Sequence, residues 1–341
     1  MRYLNLFFLL LIILLLSCES PAISSTPAFY HWQTKLTLSE IEKTYFDSLS
    51  IQKLYVKFFD VDWDANLQQA VPSAELIWEV NQWEGVEIVP TIFITNRTLI
   101  NTEREKITTL AGKIDRKIEV LAKGKEFSEW QIDCDWTKST KEKYFQLLRE
   151  LKRLNPERQL SATIRLHQVK FQEDTGVPPV DRGMLMYYNI GNISDWESEN
   201  SIYEADLAAQ YLGRMKKYPL NLDVVLPLFH WGLIYRDGEL FRIINNLSGS
   251  DLEKKCFKQL TNNRYEVVKA TYLEGHYLYE GDQIRLEQIS KEQLQIANQQ
   301  LFSALAQKDR TIAFYHLDEE ILKNWDSSTL QDIWKKHGIS Q

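Results

Sequence analysis

Two aspartates one residue apart, Asp133 and Asp135 in the stretch QIDCDW, close a run that otherwise reads as a buried strand. An ionised carboxylate is costly to bury, so two on one strand face call for cations, hydrogen-bond donors, a shared proton or access to solvent. Neighbouring carboxylates also split their proton affinities, leaving one group to give a proton and the other to stay an anion. Acid-catalysed glycosyl transfer uses that division of labour. Asp135 is then the candidate general acid, Asp133 the group that tunes it by like-charge repulsion, and Arg165 and Lys57 the candidate counter-ions. Glycosidases set two carboxyls across the scissile bond, and Asp60, Asp62 and Asp318 are the candidates for the second catalytic carboxylate.

These side chains need a scaffold that brings distant strand ends together. Short runs rich in β-branched and aromatic residues fall at 28–32, 53–59, 86–94, 129–135, 159–166, 183–189, 222–229 and 311–317, with helix-patterned segments between them. Strand–helix alternation implies parallel strands with helices outside, and eight repeats point to a closed (β/α)8 TIM barrel. An open doubly wound sheet is the alternative, but no G-x-G-x-x-G follows an early strand. About 80 residues separate the last two strands. They include alternating pieces that suggest a small antiparallel β insertion at the barrel rim, forming one wall of a cleft, and then a helix opening with a capping-box spacing at Ser290 and Gln293.

Alternate strand residues face opposite sides. In the fourth strand Trp130, Ile132 and Cys134 suit the helix layer, which sends Gln131, Asp133 and Asp135 to the barrel interior. By the same polarity split Ser161, Thr163, Arg165 and His167 point inward from the fifth strand, Tyr187 and Asn189 from the sixth, and Lys57 from the second. Trp32, Trp63, Trp136 and Trp231 each end or follow a strand. Four indoles at one end of a barrel would make a sugar-stacking cleft.

The chain opens MRYLNLFFLLLIILLLSC, a secretory signal with a lipobox-like ending, so Cys18 is the expected lipidation site. The expected organisation is a signal peptide at 1–17, a lipidated tether at 18–27 and the barrel at 28–341, with 238–310 as an inserted rim subdomain and helix. This predicts a bacterial cell-envelope protein, periplasmic or surface-facing, whose membrane partner is reached through the lipid. Net charge is -7, which argues against a nucleic-acid partner. Cys134 and Cys256 form no C-x-x-C pair, and both read as structural. The six histidines are scattered, with no H-x-H or H-E-x-x-H, and neither a P-loop nor a G-x-S-x-G elbow occurs, so no metal and no cofactor is expected.

QIDCDWT at the fourth strand resembles the D-x-x-D-x-D-x-E motif of family-18 chitinases, with Asp133 and Asp135 matching the two inner acids. Thr137 stands where that family has its catalytic Glu, and Trp130 where it has its first Asp. The strings VKFFDVDWD, ATIRLHQ, GVPPVDRGMLMYYNIG and YPLNLDVVLPLFHWG resemble a lipoprotein family of Bacteroides-group bacteria with a glycoside-hydrolase-like barrel. The resemblance implies the fold and the envelope location without naming a reaction. The expected function is therefore a lipid-anchored barrel acting on or binding a carbohydrate, with a non-catalytic glycan-binding or structural lipoprotein as the alternative.

Overall fold

The computed structural model describes residues 24–83, 85–305 and 309–335. Cys18 and the signal segment lie outside them. Eight parallel strands form the barrel: Ser24–His31, Lys53–Asp64, Glu87–Ile94, Glu129–Asp133, Gln159–Arg165, Arg182–Met186, Leu222–Pro227 and Asp309–Tyr315. They are called strands one to eight below. Strand one pairs with strand eight on one side and strand two on the other, with Ala28 opposite both Ala313 and Lys53, so the sheet closes. Strand one starts at Ser24, inside the segment read from the sequence as tether, because residues 24–27 already pair with strand eight.

Amphipathic helices cover the outside. Helix Ile107–Ala122 buries Ile107, Leu110, Ala111, Ile114 and Ile118, and helix Lys141–Leu154 buries Tyr144, Phe145, Leu147, Leu148 and Leu151. Both sets recur at the three- and four-residue spacing of one helix face. Each buried aliphatic side chain contributes roughly 1.5–3 kcal/mol relative to exposure. The last crossover helix, Lys291–Ala304, is closed at its start by the capping box of Ser290 and Gln293. No helix among the described residues is long and apolar enough to cross a membrane.

The insertion between strands seven and eight is larger than a hairpin. It is a five-stranded antiparallel sheet in the spatial order Glu239–Asn245, His230–Arg236, Gln283–Gln288, Arg264–Val267, Phe257–Gln259. It begins at His230 rather than at 238, and it holds a small core of its own that includes Ile234, Ile244, Leu252, Val267 and Ile284. A buried network ties it to the loop after strand six. Glu287 accepts hydrogen bonds from the Ser201 backbone N–H, Trp231 Nε1 and Arg285, while Arg285 also donates to the Trp196 carbonyl.

Candidate active site

Strand four delivers the polarity split its sequence requires. Trp130, Ile132 and Cys134 are buried toward the helices, where Tyr144 Oη donates to the Ile132 carbonyl. On the lumen side Tyr30 Oη donates to Gln131, and Gln131 Nε2 donates to Ser161. One layer higher Thr163 Oγ1 donates to Asp133 at 2.6 Å. At the mouth Arg165 clasps Asp135 through Nε and Nη2, the latter at 2.8 Å. Strand five thus supplies Ser161, Thr163 and Arg165 at two-residue intervals, each facing its counterpart on strand four.

The two aspartates differ in their surroundings. Burial, reinforced by the neighbouring Asp135 charge, pushes the Asp133 carboxyl up to about 6, against the pull of the Thr163 hydroxyl and the Arg165 guanidinium. Both oxygens of Asp135 are taken by a planar donor fork, the strongest geometry available to an exposed carboxylate. Lys57 is not a second cation for this pair. It is buried, lies 3.4 Å from Asp60 and sits over the Trp32 ring at 5.7 Å. Asp62, further along the same strand, is held by Arg97 and Thr95.

Above the aspartates opens a cleft of about 500 Å³. Its floor is Asp133, Asp135 and Arg165, and its aromatic wall is Trp32, Tyr315, Tyr188, Phe229 and Trp231. Successive rings in that wall lie 5.0–5.8 Å apart. Asn189, Asn245, Asn246, His316 and Asp318 add polar groups. Trp231 and Asn245 are cross-strand partners in the inserted sheet, so the insertion does build one wall. Asp318 has other duties as well: it caps the helix Glu319–Leu322 and accepts from Gln33. No group of three His, Cys, Asp or Glu among the described residues could hold a metal ion.

Several expected cleft residues are elsewhere. Tyr187 points into the helix layer, where its hydroxyl meets Gln300 and its ring meets Tyr203. Its neighbours Met186 and Tyr188 line the cleft instead. Strand six is apolar on both faces, so its sequence carries no polarity contrast to fix the facing. Asn189 still reaches the cleft because its backbone is left-handed, φ 54°, which breaks the alternation after Tyr188. Trp136 is buried against Tyr144, with Nε1 donating to the Thr175 carbonyl at 2.9 Å. His167 lies in the short helix Leu166–Lys170, past the point where strand alternation applies, and is exposed outside the cleft. Asp60, Asp62 and Trp63 do not line it either. Tyr188, Phe229, Tyr315 and His316 were missed, although the aromatic ends of strands six, seven and eight are visible in the sequence.

No protein-family model matches this sequence, and no curated protein matches it. Solved structures do. The chain resembles the spore cortex-lytic enzyme SleL of Bacillus cereus at TM-score 0.56 and 13% identity, covering 94% of this chain and 75% of that one. It resembles a chitinase from Chromobacterium violaceum at TM-score 0.54 and 8% identity, over 93% and 100%. A third likeness is the C-terminal domain of a putative chitinase from Desulfitobacterium hafniense, at TM-score 0.57 and 10% identity, over 92% and 99%. At these identities the likeness establishes the fold: the chain is a closed parallel barrel of the kind found in chitinase-like glycoside hydrolases.

Proposed function

We propose that the cleft binds a carbohydrate chain, and that Asp133 rather than Asp135 is its proton carrier. The observation that carries this reading is the asymmetry of the floor. Asp135 is bound at both oxygens by Arg165, whereas Asp133 keeps a raised proton affinity beneath an aromatic wall. Indole and phenol rings stack on the apolar faces of sugars while amide groups take their hydroxyls. The chitinases and the cortex-lytic enzyme among the structural neighbours support a glycan polymer as the ligand.

Binding without turnover is the second reading. Thr137, at the position of the chitinase Glu, is exposed and hydrogen-bonded to Ser139 and Thr140 in the loop before helix Lys141–Leu154. The deciding experiment titrates chitin and peptidoglycan oligosaccharides into the detergent-solubilised full chain and measures reducing ends over long incubation. Hydrolysis that disappears in Asp133→Asn while binding persists supports the enzyme. Binding with no reducing ends released supports the glycan-binding protein. If Trp32→Ala binds every glycan as the wild type does, the cleft is not the site.

The leader sequence supports a reading of where the chain acts. The chain is proposed to be held at the bacterial envelope, periplasmic or surface-facing, by acyl chains on Cys18. Fatty-acid labelling should vanish in Cys18→Ser, and its persistence would refute the anchor.

A further inference from the structure

Trp63, like Trp136, stands outside the cleft at the barrel mouth, but unlike Trp136 it is partly exposed. Strand two runs beyond the barrel and is met by the antiparallel strand Gln69–Ser73, with Trp63 opposite Ala70. Between this hairpin and the helices Asn96–Asn101 and Ile107–Ala122 lies a groove of about 400 Å³ that shares no lining residue with the cleft. A partly exposed indole forms one side, and the exposed side chains of Gln69 and Asn101 stand with it, the Asn101 Nδ2 donating to the Arg97 carbonyl. Lys106, Lys113 and the Glu103 carboxylate also line the groove. Lys106 is paired with Glu103 at 2.9 Å, while Lys113 has no acidic partner among the described residues.

We propose that this groove is a second, separate glycan subsite, suited to a sugar chain that carries carboxylates. The ring face offers a surface for the C–H face of a pyranose, and the Gln69 amide with the Asn101 carbonyl oxygen offers a donor and acceptors for hydroxyls. Lys113 supplies the charge for a uronate-type carboxylate. A solvated seam between hairpin and helix would need neither the indole nor the unpaired cation. Because the two linings are disjoint, this subsite and the cleft stand or fall separately.

The test is calorimetric titration of the full chain in detergent with a hexameric oligouronate, a neutral gluco-oligosaccharide of the same length and a polyglutamate peptide. Trp63→Ala and Lys113→Glu should each weaken oligouronate binding about tenfold or more, roughly the scale of one lost stacking or ionic contact. The neutral chain should lose affinity only in Trp63→Ala. Lys113 is an exposed helix position, so its variant reports even where Trp63→Ala disturbs the hairpin. Wild-type binding in Lys113→Glu, no oligouronate binding by the wild type, or equal binding of polyglutamate would each overturn the proposal.

Discussion

The barrel holds two sets of ionisable groups, one at each end of its lumen, and they are built on opposite principles. At the bottom, each buried acid is in direct contact with a cation, and Lys53 also reaches the more exposed Glu87. Lys53 lies 2.6 Å from Glu129, which also accepts from Ser161, and Arg182 grips Asp223 through two nitrogens while the Thr311 backbone N–H takes the same carboxylate. Burial pulls the Lys53 affinity for its proton down, yet the Glu129 charge and hydrogen bond, joined by the Glu87 and Asp223 charges, together more than offset it and the ammonium is held. At the mouth the count does not balance: Asp133 and Asp135 share one guanidinium, and Lys57 is taken by Asp60. A closed ledger of buried charge is a structural device, and an open one beside a cleft marks a group free to exchange a proton.

Breaking the bottom should cost most. Lys53→Met leaves Glu129 buried without its cation, and a loss of about 3–5 kcal/mol is expected from denaturant unfolding, with glycan binding by the folded fraction intact. A loss of binding without a loss of stability would place function at the wrong end. The next effect separates packed from working indoles. Trp136→Phe strands the buried Thr175 carbonyl and should cost about 2 kcal/mol, again with unchanged binding, whereas Trp32→Ala should impair binding.

Asp133→Asn should move in the other direction, by about 1 kcal/mol. A carboxyl whose folded pKa is near 6, above the unfolded value, holds its proton more tightly in the native state. Its contribution is therefore full below about pH 4 and declines as pH rises toward 6. The Asn variant should be the more stable protein at pH 7 and should lose that slope between pH 4 and 6, read from melting temperature against pH. An unchanged slope would remove Asp133 as the proton carrier. Smallest of all, Arg165→Met should cost roughly 1 kcal/mol or less, because the Asp135 side chain is 47% exposed and water can take over. A cost as large as that of Lys53→Met would make the mouth as structural as the bottom.

Strands four and five were legible because their two faces differ in polarity. The order Gln131, Asp133, Asp135 against Ser161, Thr163, Arg165 can be read off the alternation alone, and the structure pairs them in that order. Strand six was not legible for the converse reason. Met184, Leu185, Met186, Tyr187 and Tyr188 are all buried, so either facing satisfies the hydrophobic pattern. His167 failed at a boundary: the chain turns into a helix at Leu166, and a period of two no longer holds there.

The sequence by itself determined that eight strand–helix units exist, that a small antiparallel β insertion precedes the last, and that two carboxylates face inward beside an arginine. Those properties are local, set by periodicity, capping and the cost of burying charge. Only the tertiary structure decided which indoles share a cleft, which cation serves which acid, and which aspartate keeps its proton. These depend on distances between strand ends far apart in sequence, and the field at Asp133 is the sum of groups brought together by barrel closure.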